Sequence, residues 1–259
     1  MGMKSQIDQL KSEAEANYSA SRWEDSAKTY EHLVGLAQEN NDFALAIDFA
    51  IAAIKSWSNL PDKNARIFKL YQAIGIIGLK QAAIGFESLA ANAEMSDDLK
   101  TAASYYEDAA DGFSYIQNFD KAKICYNNSI KMFDKLSSKA FTEKDYENSI
   151  HLLSRTGNLY DKMKLLLETM LVQIRNLDEN SRKILIEEKN KIAKMEKQIN
   201  LNIAKSHEYL AIYYLQMDDP DFEPVAEKEF NNALKILEEI NETQEVKKIK
   251  DKMIKLLKK

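Results

Sequence analysis

The stretch Tyr106-Glu107-Asp108-Ala109-Ala110-Asp111-Gly112-Phe113-Ser114-Tyr115-Ile116-Gln117-Asn118-Phe119-Asp120-Lys121-Ala122-Lys123-Ile124-Cys125-Tyr126-Asn127-Asn128-Ser129 decides how the chain is read. Reduced to side-chain size, it is a large residue (Tyr106), a small pair (Ala109, Ala110), an aromatic (Phe113), a polar break, then Phe119, Ala122, Tyr126 and Ser129. Spacings of three and four put each set on one face of a helix. Small side chains on that face let two antiparallel helix backbones approach, and the aromatics fill the space against the next pair. The stretch therefore predicts two helices packed face to face across a short turn.

The same pattern recurs to either side. Tyr30-x2-Leu33-Val34-x2-Ala37 is followed by Phe43 and Ala46-x3-Ala50-x2-Ala53, and His207-x2-Leu210-Ala211-x2-Tyr214 by Ala226-x3-Phe230-x2-Ala233. The second of these has an insert, Asp218 to Pro224, and Pro224 suits the first turn of the helix that follows. Ala82-x3-Phe86-x2-Leu89 reads as a partial copy, whereas residues 138–205 match poorly. Helix-stop and helix-start residues fall near Ser21, Asn41, Pro61, Gly78, Ser96, Asn118, Ser138, Gly157, Asp178, Asp219 and Asn241, about every 20 residues. Ser21-x-x-Glu24 and Asn241-x-x-Gln244 have the form of capping boxes. Ser181 to Gln216 has neither Gly nor Pro, so one long helix is expected there, at about 181–216, among eleven or twelve in all.

Composition agrees. The chain has 259 residues with only 7 Gly, 3 Pro and 4 Val, too few turn and β-branched residues for a sandwich, barrel or doubly wound sheet. The fold class expected is all-α, a right-handed α-α superhelix ending in a helical bundle. Of 28 Ala, 23 lie in residues 1–140. Residues 1–140 are accordingly read as tight helical repeats, and residues 141–259 as their continuation with the long helix and a carboxyl-terminal bundle.

Chemistry is scarce. A net charge of -5 speaks against a nucleic-acid partner. Cys125 is single and suits a reducing compartment, packed inside a helix as an inert thiol. His32, His151 and His207 each stand alone on a different helix, without a metal-ligand pattern. Gly75-Ile76-Ile77-Gly78 lacks the remainder of a phosphate loop and reads as a close helix crossing. Paired acids such as Asp97-Asp98 suit solvated faces or helix starts. No catalytic, cofactor or metal site is assigned. The amino-terminal residues Met1 to Gln6 show no apolar leader, and the longest apolar run, Ala73 to Leu79, is far shorter than the roughly 20 residues that cross a bilayer. The chain is expected to be soluble and cytoplasmic, with a peripheral place at a membrane as the alternative.

The segment least explained by packing is Lys247 to Lys259, with seven Lys and one Asp while Val246, Ile249, Met253, Ile254 and Leu257 keep helical spacing. It reads either as the last capping helix of the array or as a basic amphipathic hook for an acidic or anionic surface. Lys248, Lys252, Lys255, Leu256, Leu257 and Lys259 are the candidate partner-binding residues.

Tyr106 to Phe133 and Tyr30 to Trp57 resemble tetratricopeptide-type (TPR) repeats. Asn41-Asp42-Phe43-Ala44-Leu45-Ala46-Ile47-Asp48-Phe49-Ala50-Ile51-Ala52-Ala53, together with the chain length and the period, is similar to the soluble NSF attachment proteins, the SNAP adaptors. That resemblance implies a twisted solenoid gripping a SNARE-type or coiled-coil helical partner along one face. It also implies recruitment of an AAA ATPase by the carboxyl-terminal helices, where Leu256 and Leu257 stand, and no catalytic residue or cofactor. Membrane contact in that family uses an apolar loop after the first helix, whereas Tyr18-Ser19-Ala20-Ser21-Arg22 is short and mostly polar. A general TPR scaffold or peptide-tail receptor is the alternative, and a helical enzyme with a dispersed site the remote one.

Overall fold

A computed structural model describes residues 3–173, 178–217 and 219–257. Among these residues there are ten α-helices, one 3-10 turn and no strand. The helices are α1 (Met3–Ser19), α2 (Trp23–Glu39), α3 (Phe43–Trp57), α4 (Asn64–Met95), α5 (Leu99–Tyr115), α6 (Phe119–Thr142), α7 (Tyr146–Gln173), α8 (Glu179–Leu215), α9 (Glu223–Glu239) and α10 (Thr243–Leu257). The all-helical class expected from composition is what is found. Pro224 lies in the first turn of α9, and α8 is the long helix.

One turn geometry is used six times among the described residues. Ser21, Asn41, Asp97, Gln117, Lys144 and Asn241 each adopt a left-handed backbone, with φ between 56° and 64°. The residue after each donates its N–H to the carbonyl five positions back, as in Asp42 to Ala37 (2.9 Å), Asn118 to Phe113 (2.8 Å) and Asp145 to Ala140 (2.9 Å). This is a Schellman closure of one helix, and the donating residue also starts the next helix. Asp42, Asp98 and Asp145 complete the joint by accepting from the N–H three residues on, at 3.1, 3.2 and 3.3 Å. Direction is thus reversed within three residues, so consecutive helices pack antiparallel.

In five of the six cases the turn is followed by a small side chain. Four residues into the helix stand Ser26, Ala46, Ala102, Ala122 and Ser149, all at most 1% exposed, whereas α10 has half-buried Val246 there. Serine hydroxyls show how closely the backbones approach: Ser26 Oγ donates to the Ala14 carbonyl of α1 (2.9 Å) and Ser149 Oγ to the Ser137 carbonyl of α6 (3.2 Å). Further along α6, Ser129 Oγ donates to the Ala103 carbonyl of α5 (2.8 Å). No larger side chain fits where a hydroxyl already bonds the neighbouring backbone. Tyr106, Phe113, Tyr126 and Phe133 fill the adjoining layer, all nearly or fully buried.

Several local expectations are corrected. Ser21 and Asn241 are the left-handed turn residues, not helix caps, because the helices begin after Arg22 and at Thr243. Gly78 and Gly157 lie inside α4 and α7, and Ser138 inside α6, so these breaks do not occur and the helix number falls to ten. A lone glycine costs a helix only about 1 kcal/mol, which packing along 28 or 32 residues outweighs. A Cβ built on Gly75 or Gly78 meets nothing within 4 Å, so these glycines do not mark a close crossing. In the partial copy, Ala82 and Leu89 are exposed while Ala83 and Ala90 are buried, which places the repeat register one residue off. Conversely, Tyr146-x2-Ser149-x3-Leu153-x2-Thr156 on α7 is a true copy inside the region that matched poorly.

By packing, the chain forms two compact units: Met1–Gly85 with Tyr115–Gln117, and Phe86–Ser114 with Asn118–Lys259. The core of the first is built on Leu33, Phe49, Trp57, Leu70 and Ile77, with Trp57 Nε1 donating to Glu31 (2.7 Å) and Arg66 stacked on its ring. In the second unit Tyr126, Phe133, Tyr160, Leu167 and Phe230 are buried. There Glu107 and Asp111 of α5 join Arg155 and Lys162 of α7 at 2.6 to 3.0 Å, and Tyr126 of α6 donates to Asp111 (2.6 Å).

Candidate functional site

Along one side of α8 in the second unit runs a groove whose walls are α6 and α8 and whose floor is α7. Its segments share walls: Met195 and Tyr160 border two neighbouring cavities of about 170 and 310 Å³, and Asn202 borders the larger of these and a third. From Glu188 to Ser206 the groove follows about 27 Å of helix, at 1.5 Å per residue. Beside the groove, and sharing Asn202 and Lys205 with it, a separate cavity of about 620 Å³ lies between α8 and α10.

The groove exists because helix lengths differ. α6 and α7 continue past the point where the shorter helices of the chain stop, and α8 runs for 37 residues, so the walls outlast a single helix pair. The lining is mixed in character. Ser137, Ser138, Thr142 and Asn202 provide hydroxyl and amide groups, while Phe141 and Leu153 provide apolar surface. Lys205 Nζ lies 5.7 and 5.9 Å from the ring centroids of Phe141 and Tyr209, a cation held over two aromatic faces. Those rings continue into an aromatic layer with Tyr146 and Tyr213, centroids 5.3 to 6.4 Å apart.

Two titratable groups line the groove midway. Burial pushes the Asp134 carboxyl above its ordinary range. Among the described residues it has no salt-bridge partner. The Tyr160 hydroxyl is pushed up to about 12, by burial first and by the Asp134 charge second. Asp134 is thus a half-buried carboxylate open to a donor from a bound molecule. At the far end, Lys123, Asn127 and Lys191 gather round the smallest cavity, where Lys123 bonds Glu188 at 3.0 Å.

Sequence-chosen residues are distributed unequally. Lys248 and Lys252 line the separate cavity between α8 and α10, where Lys252 pairs with Glu208 and Lys248 with Glu245 (2.6 Å). Leu256 does not face outward: with Val246 and Met253 it packs beside buried Ile249 on Phe230, Leu234 and Leu237 of α9. Lys255 is exposed and Leu257 half-buried, and neither lines the groove. Lys259 lies outside the described residues. α10 therefore docks by its apolar side while its lysines remain at the surface.

Sequence reasoning passed over Phe141, Asn202 and Lys205 because they sit in the region that matched the repeat poorly, and Asp134 because it lies just before that region in no motif of its own. The run Tyr209-x3-Tyr213 near Tyr146 was the available signal. Other chemistry is subdued. Cys125 is fully buried, and burial raises its thiol to about 11, so it stays protonated. His207 has Nδ1 at 2.5 Å from Glu229 on α9, a pairing between helices. Among the described residues no three His, Cys, Asp or Glu side chains gather as a metal site. No family model matches the chain, and no curated protein matches it either.

Proposed function

We propose that this chain is a non-catalytic protein-protein interaction adaptor whose groove along α8 receives a helical partner of SNARE or coiled-coil type. The observation that carries the reading is the groove itself. About 27 Å of concave surface along α8, lined by hydroxyl, amide and aromatic groups with a single uncompensated carboxylate, suits the side of a helix better than a small substrate. In this reading the helix pairs within each unit stack as a right-handed superhelix of tetratricopeptide type, SNAP-like in pattern. α10 and its lysines recruit an AAA ATPase, and the protein works in the cytoplasm, at a membrane periphery. Support for these finer points comes from the repeat pattern and from the basic surface of α10.

A second reading, a receptor for peptide tails, is favoured by one observation, the grouping of Lys123, Asn127 and Lys191 at the end of the groove. Lys191 and Asn127 are donors that a carboxylate tail needs, and in this reading Lys123 exchanges its present partner Glu188 for the tail.

Affinity capture with the full chain, followed by cross-linking, separates the readings. Ser138→Trp and Asn202→Trp fill the groove without touching the buried core. The first reading expects capture of coiled-coil proteins with an AAA ATPase, cross-links to α6 and α8, and loss of both in the groove variants. Capture that survives Asn202→Trp overturns it. Capture of a chaperone tail, lost in Lys123→Ala with Lys191→Ala, establishes the second.

A further inference from the structure

We infer that the outward face of α4 in the first unit is a contact surface for an anionic lipid bilayer, on which the helix lies without spanning it. The inference goes beyond the groove and uses none of its residues. Phe68 is 63% exposed, Tyr71 59%, Ile76 52% and Leu79 37%. Phe68, Tyr71, Gly75 and Leu79 stand at i, i+3, i+7 and i+11, so they form one stripe over three helical turns. By length and composition, α4 is the helix among the described residues that is apolar enough to cross a membrane, yet only 17% of its apolar window is buried. An apolar stripe with two exposed aromatics is not what a solvated helix face carries.

Charge selects the occupant. From Lys63 to Phe86 there are 24 residues without one Asp or Glu, the longest such run in a chain with 41 acids. Arg66, Lys69 and Lys80 fall within it. Among the described residues none of the three has a carboxylate within 4 Å. Arg66 instead stacks on Trp57 (4.5 Å) and Lys80 lies over Phe43 (5.1 Å). Lys69 and Lys80 stand about 100° to 120° round the helix from Phe68 and so line one edge of the stripe, while Arg66 lies on the core side and borders a cavity with Glu31. An apolar stripe with cations along one edge and no acid of its own complements a surface that is apolar inside and negative outside. A second copy of the chain would bring the same cations against themselves, which disfavours self-association through this face.

The opposite face decides how deep the contact goes. Leu70 and Ile77 are buried in the core of the first unit, with Ile67 and Ile74 packed beside them. Crossing a bilayer would strip that core, whereas lying on the surface buries only the outward stripe. The run Ala73 to Leu79, too short to span, is thus one part of a longer interfacial helix.

Flotation of the full chain with phosphatidylcholine vesicles, with and without phosphatidylserine, tests this. Binding is expected to the anionic vesicles and to fall steeply as salt rises from about 0.1 M to about 1 M, where the screening length drops from about 10 Å to about 3 Å. Phe68→Ser with Leu79→Ser should reduce the floated fraction about tenfold or more, and Lys69→Glu with Lys80→Glu should abolish the preference for anionic lipid. Ile51→Ser, which removes an equally exposed apolar residue from α3, should leave it unchanged. Circular dichroism melting confirms that each variant is folded. The inference is overturned if the wild type does not float with anionic vesicles, or if Phe68→Ser with Leu79→Ser floats as well as the wild type. It is equally overturned if sedimentation equilibrium shows a dimer that these two substitutions dissociate, since the stripe then belongs to a second copy.

Discussion

Gly75→Ala combined with Gly78→Ala should stabilise the protein. Both glycines lie in the interior of α4, with ordinary helical backbone, and a Cβ at either position meets no atom within 4 Å. Nothing therefore opposes the gain in helix propensity, about 0.8 to 1.0 kcal/mol per glycine. The two together should contribute about 1.5 to 2 kcal/mol, mainly by narrowing the unfolded ensemble. For a chain of this size that corresponds to a rise in melting midpoint of roughly 3 to 8 °C. Thermal melts by circular dichroism and urea titrations of the single and double variants measure it. Gly157→Ala in α7, also unobstructed, serves as an independent copy at about 1 kcal/mol. A lowered midpoint in the double variant would refute the reasoning, because it would mean that another backbone lies against Gly75 and Gly78.

The reverse is expected at Ala122, fully buried four residues into α6: Ala122→Leu should overpack the α5–α6 contact and cost about 1 to 3 kcal/mol, and an unchanged urea midpoint would place that residue outside the contact. At Asp134, burial raises the folded-state pKa above the unfolded value, so the native state binds the proton more tightly. The stability from this group is present in acid and lost as pH rises from the unfolded carboxylate value through the raised one. Asp134→Asn should accordingly be more stable than the wild type at neutral pH, with the difference vanishing in acid, and a pH-independent difference in urea midpoints would count against this account. On α10, Ile249→Asp should cost about 3 kcal/mol or more by placing a charge at a site 4% exposed. Lys248→Glu with Lys255→Glu should change the melting midpoint by less than about 1 kcal/mol equivalent, since both side chains are exposed. If the lysine variants unfold as readily as Ile249→Asp, the lysine side of α10 is part of its packing.

What the sequence determined by itself is the helical class and the pairing rule. Too few Gly, Pro and Val exclude sheets, and Ala109, Ala110, Ala122 and Ser129 sit at the spacings where helix backbones meet, because local propensity and periodic burial are written in neighbouring residues. The direction of α4 and α7 through Gly78 and Gly157 was not legible in the same way. A glycine ends or continues a helix according to what the flanking turns bury, and that is settled by residues far along the chain. The left-handed turns at Gln117 and Lys144 have no glycine to announce them, since packing on both sides outweighs their backbone cost of about 1 kcal/mol. The groove is the plainest case of all. Asp134, Phe141 and Lys205 are separated by up to 71 residues and share no spacing. Only the lateral packing of α6 and α8 over α7 brings them to one surface, and only there does burial without a cation give Asp134 its altered acidity.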